Sequence, residues 1–378
     1  MHQYTADLAN RAAAGKFQAE AKAPRVAVIT TATLPRDRYS PLVQLITPVT
    51  THGTGFSSES LDIAAYRCLR STLDSLPPGT PCHFTGVHAW NLPLVYALRR
   101  RGLPVIHTLH DLDPHQGVRF GGLIRLWNRL ILASGAHILV HGRCYRERLL
   151  ALGLPPTRVT AVPLLHGFWG YDAEGQLGAE ADPEPAPVQL RHIIFFGRLE
   201  LYKGIDTLLA AWTLLSASQA AAAPQAWVQR LVLAGAVGQG VALPPLPPGV
   251  ELRDRRIPDA EAIELFRQAA LLVLPYRDAT QSALIAAAYR FGAPVIVTRR
   301  GALPEYVVEG ETGWIVPPDN PGALAAALRE ALADPERLHR MGAAGRSWFS
   351  QQREREEKAL TTLYLAAKNA GPTPVDHE

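Results

Sequence analysis

Residues Ile193 to Trp212 read IIFFGRLELYKGIDTLLAAW. The first four form an unbroken apolar run, the pattern of a strand buried on both faces of a parallel sheet. Gly197 ends the run, and the spacing predicts a helix opening near Asp206, whose carboxylate suits a first helical turn. Leu208, Leu209, Trp212 and Leu215 recur at helical intervals, so that helix buries one face. Between strand and helix lie Arg198, Lys203 and Gly204. A loop at the carboxyl end of a parallel strand is where open α/β sheets bind ligands. A guanidinium and an ammonium there suit a diphosphate, the first chelating two oxygens and the second acting as a point charge. Two ordinary surface cations are the plainer alternative, and the rest of the chain weighs against it.

Outward from this stretch, strands and helices alternate in both directions. Upstream, strands are expected at Arg25–Thr31, Phe84–Val87, Val105–Leu109, His137–Val140 and Val159–Val162. Helices are expected at about Leu61–Leu76, Leu92–Arg101, Leu123–Ala133 and Cys144–Leu152, and residues 1–24 read as a loosely packed lead-in. Gly170–Pro187 (GYDAEGQLGAEADPEPAP) has no periodicity and reads as a linker. Downstream, strands fall at Arg230–Ala234, Val250–Leu252, Leu271–Leu274, Val295–Thr298 and Gly313–Val316. Helices fall at 205–217, 259–269, about 281–291, 320–333, 335–347 and Gln351–Lys368, before a tail expected to be disordered. The fold class is α/β: two Rossmann-like, doubly wound domains, 1–187 and 188–351.

A chain of 378 residues is too long for one ordinary core. With 47% hydrophobic and 19% charged residues it has the composition of a soluble globular protein. No apolar stretch reaches the length of a spanning helix, and the N-terminus lacks a signal-peptide core, which places the chain in the cytoplasm. Cys68, Cys82 and Cys144 show no metal-ligand spacing and read as small hydrophobes in a reducing compartment. Residues 1–185 carry 18 Lys plus Arg against 14 Asp plus Glu, whereas 186–378 carry 20 of each, so the net charge of +4 lies in the first half. That excess is too small to argue for nucleic acid, and suits an acidic acceptor or a lipid surface no better than it suits chance.

The segments FFGRLELYKGIDTLL (195–209), LVLAG (231–235), LPYRDATQSALIAAAYRFGAPVIVT (274–298) and GALPEYVVEGETGWIVPPDN (301–320) resemble, in order and spacing, the retaining GT-B glycosyltransferases of the family 4 type. VIHTLHDLDPH (105–115) and RVTAVPLLHG (158–167) match more thinly. The resemblance implies two Rossmann-like domains facing across a cleft, with a nucleotide-sugar held mostly by the second. It also implies that the last helix, 352–368, packs back on the first domain. The implied enzyme retains anomeric configuration and uses no metal and no cofactor; the nucleotide-diphospho-sugar is its donor substrate. The acceptor is a glycan or a lipid-linked molecule, and the N-terminal domain would touch the inner face of a membrane.

Under this resemblance Gly197, Arg198 and Lys203 take the donor diphosphate, whose departing charge fixed cations can stabilise. The loop Ala279-Thr280-Gln281-Ser282-Ala283-Leu284 would add backbone amides at a helix N-terminus, with hydroxyls from Thr280 and Ser282. A polar N-cap serving only its own helix is the alternative for Ser282. Many family members carry two glutamates eight apart across this loop and helix; here the aligned residues are Ala279 and Ala287, as in a subgroup lacking both, which leaves ribose and sugar recognition open. Glu305 in GALPE occupies a family-like position or braces its loop. His110, after a strand, is expected beside the transferred sugar or hydrogen-bonded within its loop; Asp111 is the adjacent carboxylate, and His166 lies at another strand end.

Asp111-Leu112-Asp113 is formally a metal-binding DxD of the other transferase fold, but its surroundings resemble the metal-free type. In FGGLIRLWNRLI (120–131), with Arg119, arginines alternate with leucines; the segment reads either as a core helix with snorkelling arginines or as a membrane-surface helix. Two rival functions stand beside the transferase: a catalytically silent homologue serving as an accessory subunit, motivated by Ala279 and Ala287, and an epimerase on the same fold.

Overall fold

The fold is described from a computed structural model, over residues 2–13, 26–31, 39, 43–49, 61–113, 121–166, 192–219 and 230–369. The linker expected at 170–187, the tail from 371 and Arg119 lie outside the described residues. The chain divides into two compact units. Unit 1 comprises Met1–Pro163, Gly170–Gly178 and Glu354–Glu378, and unit 2 comprises Leu164–Trp169 and Ala179–Arg353.

Unit 1 contains α1 (His2–Ala13), β1 (Val26–Thr31), β2 (Val43–Val49), α2 (Ile63–Asp74), β3 (Cys82–Phe84), α3 (Asn91–Arg100), β4 (Val105–Thr108), α4 (Gly121–Ala133), β5 (His137–Val140), α5 (Arg143–Ala151) and β6 (Val159–Ala161). β1 and β2 pair in parallel, and β3-β4-β5-β6 form a parallel four-stranded sheet. Its core gathers Leu94, Val95 and Leu98 of α3, Trp127 and Ile131 of α4, and Leu149 of α5 against Val105, Ile138 and Val140. The strand expected at Phe84–Val87 starts two residues earlier, where Cys82 pairs with Val105.

The loosely packed lead-in expected for residues 1–24 is corrected over its first half. α1 is a helix buried on almost every side, with Ala6, Ala9 and Ala13 packed against Val28, Tyr39 and Val43. Its polar residues are buried because they are paired: Arg11 meets Asp7 at 2.9 Å and Glu356 at 3.1 Å. Glu356 lies more than three hundred residues away in the sequence, so no local pattern announces it.

Unit 2 contains β7 (His192–Phe196), α6 (Ile205–Gln219), β8 (Leu231–Ala234), β9 (Val250–Arg253), α7 (Asp259–Arg267), β10 (Ala269–Leu274), α8 (Ala283–Arg290), β11 (Val295–Thr298), β12 (Gly313–Val316) and α9 (Pro321–Ala333). The helices expected at 335–347 and 351–368 are instead one, α10 (Pro335–Asn369), because nothing between Ser347 and Gln351 breaks a helix; its residues from Glu354 belong to unit 1. The six parallel strands run in the order β12-β11-β10-β7-β8-β9. From β7 the chain proceeds outward through β8 and β9, then returns to β7's other side for β10, β11 and β12. The connections after β7 and after β10 therefore diverge, opening a crevice at the carboxyl ends of these two strands.

Candidate active site

The crevice is built by two loops of unit 2. After Phe196 the chain turns at Gly197, forms a 3₁₀ turn over Leu201–Lys203, and enters α6 only after Gly204. The cation thus sits on a tight turn before the helix. Gly204 has a left-handed φ of 65°, and a Cβ built there would lie 2.1 Å from the Pro275 carbonyl oxygen. Only glycine lets the turn meet the end of β10 this closely. Tyr202 O accepts from Arg277 N at 2.8 Å, and the Arg277 guanidinium pairs with Asp206 at 2.6 Å and with Asp319. The two loops are therefore clamped together, with Lys203 between them.

The Lys203 ammonium rests on the backbone of Gly197, 3.1 Å from where a Cβ would stand. It lies 5.6 Å from the Tyr276 ring centroid, 5.9 Å from Phe195 and 6.0 Å from Tyr202. Among the described residues it forms no ion pair. Burial, and then the Arg198 guanidinium, pull its pKa down to about 8, with Glu200 opposing. A largely buried ammonium with no ion pair among the described residues leaves its positive charge available to an anion. Arg198 shares the turn but is 74% exposed and pairs with Glu200 at 3.3 Å, so it is engaged rather than poised.

Across the crevice, α8 begins at Ala283 with Ser282 as its N-cap, whose hydroxyl accepts from Leu284 N at 3.4 Å. Ser282 also hydrogen-bonds Tyr276, whose phenol pKa burial drives upward. Thr280 is buried, and its carbonyl accepts from Ala302 N at 2.9 Å. The carboxamide oxygen of Gln281 is buried without a hydrogen-bond partner. Ala279 and Ala287 are 7% and 1% exposed, methyl groups packed where family members place glutamates. Glu305 is half-buried on the 3₁₀ turn Leu303–Tyr306. His166 is half-buried in the Leu164–Trp169 segment, whose Leu164 N donates to Tyr306 Oη at 2.7 Å.

The structure thus gathers Gly197, Arg198 and Lys203 with the 279–284 loop on unit 2, while His110 and Asp111 belong to unit 1. The His110 Nε2–H donates to the Thr85 carbonyl at 3.0 Å, on the loop after β3 and not within its own loop; its ring is half-buried, and burial lowers its pKa. Asp113 pairs with Arg148, and the Asp111 carbonyl accepts from Asn128 at 2.9 Å. Sequence reasoning missed Phe195, Tyr202, Tyr276 and Arg277. Tyr202 and Tyr276 each stand one residue from a charged neighbour in the two loops, the one signal that would have marked them.

On α4 one face is buried and the other exposed. Trp127, Asn128 and Ile131 are buried, but Leu123, Leu126 and Leu130 are 46%, 53% and 40% exposed beside exposed Arg125 and Arg129. Among the described residues no helix is long and apolar enough to cross a membrane.

Residues 191–334 match the family described as "Glycosyl transferases group 1", and residues 1–164 match "Glycosyl transferase 4-like domain". A D-inositol 3-phosphate glycosyltransferase from Segniliparus rotundus is 26% identical over 73% of this chain and 66% of its own length. Two further relatives of that name are covered over 64% and 61%, so the chain spans just under two thirds of these relatives. In fold, sucrose-phosphate synthase from Thermosynechococcus elongatus is similar with a TM-score of 0.65 at 21% identity, over 90% of this chain and 88% of that one. The Anabaena Alr3699/HepE protein, in complex with UDP and glucose, also scores 0.65, at 15% identity over 96% and 95%.

Proposed function

Because the chain belongs to the group 1, GT4-like glycosyl transferases, we propose that it moves a sugar from a nucleotide-diphospho-sugar to an acceptor hydroxyl, with retention of anomeric configuration. The observation that carries this reading is Lys203: a cation that forms no ion pair among the described residues, held in an aromatic cup at the switch point of a parallel sheet. As the glycosidic bond breaks, the diphosphate gains negative charge. The ammonium stabilises that charge without reorganising, because the clamp of Arg277 has already fixed its turn. Arg198 exchanges Glu200 for a phosphate oxygen and adds a second cation. The amides at the start of α8 complete the cradle, with the Gln281 carboxamide NH2 as a further donor. His110, on unit 1, serves the transferred sugar, with Asp111 and His166 on the acceptor side. In this scheme leaving-group stabilisation comes from side chains, without a metal.

The acceptor is proposed to be presented at the inner face of a membrane. Leu123, Leu126 and Leu130 fall within one exposed arc of α4, with Arg125 and Arg129 alongside, the arrangement of a helix lying on an anionic lipid surface. Co-sedimentation with vesicles containing phosphatidylglycerol, lost in Leu126→Glu and absent with pure phosphatidylcholine, is the expected result; equal sedimentation of both proteins overturns it.

The donor reading is tested by thermal-shift screening against UDP-, GDP- and ADP-sugars, followed by product analysis. One nucleotide class should stabilise the wild type and not Lys203→Ala, and Lys203→Ala should lose at least about a hundredfold in turnover. Wild-type turnover in that variant sinks the assignment. Donor binding without transfer would favour the silent homologue, and product without acceptor the epimerase.

A further inference from the structure

Unit 1 holds an arrangement that the proposed reaction does not require of an ordinary N-terminal segment. Two consecutive residues of α1 engage one imidazole, Tyr4 directly and Thr5 through Thr85. The Tyr4 ring, 1% exposed, packs edge-on against His110 at 5.2 Å and against His141 at 5.0 Å. The His141 and His110 rings are themselves 5.0 Å apart, and His141 is held by the Val162 carbonyl at 3.3 Å. The next residue, Thr5, hydrogen-bonds the hydroxyl of Thr85 at 2.7 Å, and the carbonyl of that same Thr85 takes the proton of His110 Nε2. α1 thus grips both the ring and the group to which the ring is bonded.

We propose that α1 is a positioning element of the active site, with Tyr4 and Thr5 holding the His110 imidazole in one orientation and one tautomer. The claim rests on the reading of His110 as the sugar-side group. With Nε2–H committed to Thr85, Nδ1 is left as the acceptor, able to take a hydrogen bond from a sugar hydroxyl. The grip is rigid because α1 is itself fixed: Arg11 pairs with Asp7 and with Glu356 of α10, all almost fully buried, so α1 cannot slide without exposing an unpaired charge to an apolar interior. Tyr4 Oη makes a long hydrogen bond to Thr108 Oγ1 at 3.4 Å, while the ring makes both imidazole contacts. A cap that merely covers the strand ends would need neither the paired aromatic contacts nor the Thr5–Thr85–His110 relay.

The test is an imidazole nitrogen NMR titration of the wild type and of Tyr4→Phe, Tyr4→Leu and Thr5→Val, with His110 assigned through His110→Gln. Among the described residues the titratable groups around His110 are His141, Tyr4, His83, His107 and Asp111, and the substitutions leave all but Tyr4 in place. Burial depresses the His110 pKa, so admitting water by shortening Tyr4 raises it. Tyr4→Phe should keep the wild-type titration and kcat. Tyr4→Leu should raise the His110 midpoint by about one pH unit and move the acid limb of kcat upward with it. At neutral pH it should lose at least about tenfold in kcat, with donor KM within about twofold. Thr5→Val, nearly isosteric, should fall between them, and it keeps the claim testable if Tyr4→Leu does not fold. An unmoved midpoint and kcat in Tyr4→Leu and Thr5→Val, or a fall in Tyr4→Phe as deep as in Tyr4→Leu, overturns the proposal. If the wild type consumes no sugar nucleotide, the transferase reading fails, and the titration alone still decides whether α1 positions His110.

Discussion

Replacing Lys203 by methionine should stabilise the ligand-free protein while removing its response to nucleotide. In the fold the ammonium pKa is pulled from the usual 10.5 to about 8, so keeping it charged at neutral pH costs about 3 kcal/mol. Three ring centroids at 5.6 to 6.0 Å, the outer edge of cation–π range, return about 1 kcal/mol. The balance, about 2 kcal/mol in this half-buried site, is what methionine recovers by filling the same cup without a charge. For a unit of this size that is about 4–8 °C in Tm. The sign with pH follows from the lowered pKa. Between about 8 and 10.5 the unfolded chain binds the extra proton, so wild-type stability gains on Lys203→Met as pH rises through that window. Differential scanning calorimetry at pH 7 and pH 10, with and without nucleoside diphosphate, measures all of this. The variant should melt higher at pH 7, the gap should close at pH 10, and only the wild type should respond to ligand. A ligand-free Lys203→Met that melts below the wild type at pH 7 would show that the ammonium has a stabilising partner in the fold, and the receptor argument fails.

Other outcomes follow from the same contacts. Gly204→Ala places a Cβ 2.1 Å from the Pro275 carbonyl at φ 65° and should cost more than about 3 kcal/mol, read as a shifted urea midpoint, whereas Gly240→Ala, at φ 76° with nothing within 4 Å, should cost about 1 kcal/mol. His107 is buried and His83 half-buried, and desolvation holds their pKa values to about 3; the unfolded chain therefore binds more protons from pH 6.5 downward, and stability should fall steadily across that window. His107→Phe should flatten this acid limb, and an unchanged pH dependence of the urea midpoint would contradict it. Breaking the cluster with Arg11→Met should destabilise unit 1 by about 3 kcal/mol, because Asp7 and Glu356, both buried, lose their shared cation; thermal melts of Arg11→Met and of the Arg11→Met, Asp7→Asn, Glu356→Gln variant test this, the added changes recovering most of the loss.

What the sequence showed and what it hid divide along sequence distance. β7, the turn carrying Lys203 and the N-cap at Ser282 are local patterns, an apolar run closed by glycine and a serine before a helix, and each lies within a residue or two of its reading. The cup is not local: Tyr276 reaches Lys203 only because β10 returns to the side of β7 opposite β8, and strand order is written in no single stretch. α1 was hidden for the same reason. Its Asp7–Arg11 spacing is a helical pair, but a helix with buried charge becomes credible only when Glu356 is known to face it. α10 was split by reading, since the polar run from Ser350 to Glu357 looks like a boundary in sequence and is a continuous helix whose burial alternates in space.

The two alanines bear on what kind of donor site this is. A glutamate at position 279 or 287 would place a negative charge on the loop or helix that cradles the anion, and lower the potential felt by it. With Ala279 and Ala287 neither position adds a carboxylate, and Asp206 and Asp319 are taken up by Arg277. In the proposed reading, Glu200, released as Arg198 turns to phosphate, is then the carboxylate of the turn that competes with the diphosphate for Lys203. The same economy removes two hydrogen-bond acceptors that a ribose or sugar hydroxyl would seek, and the packed methyls at 7% and 1% exposure leave no room to restore them by rotation. Under the proposed donor reading, affinity concentrates on the pyrophosphate, and discrimination among sugars passes to the neutral groups of unit 2, Gln281 and the loop amides.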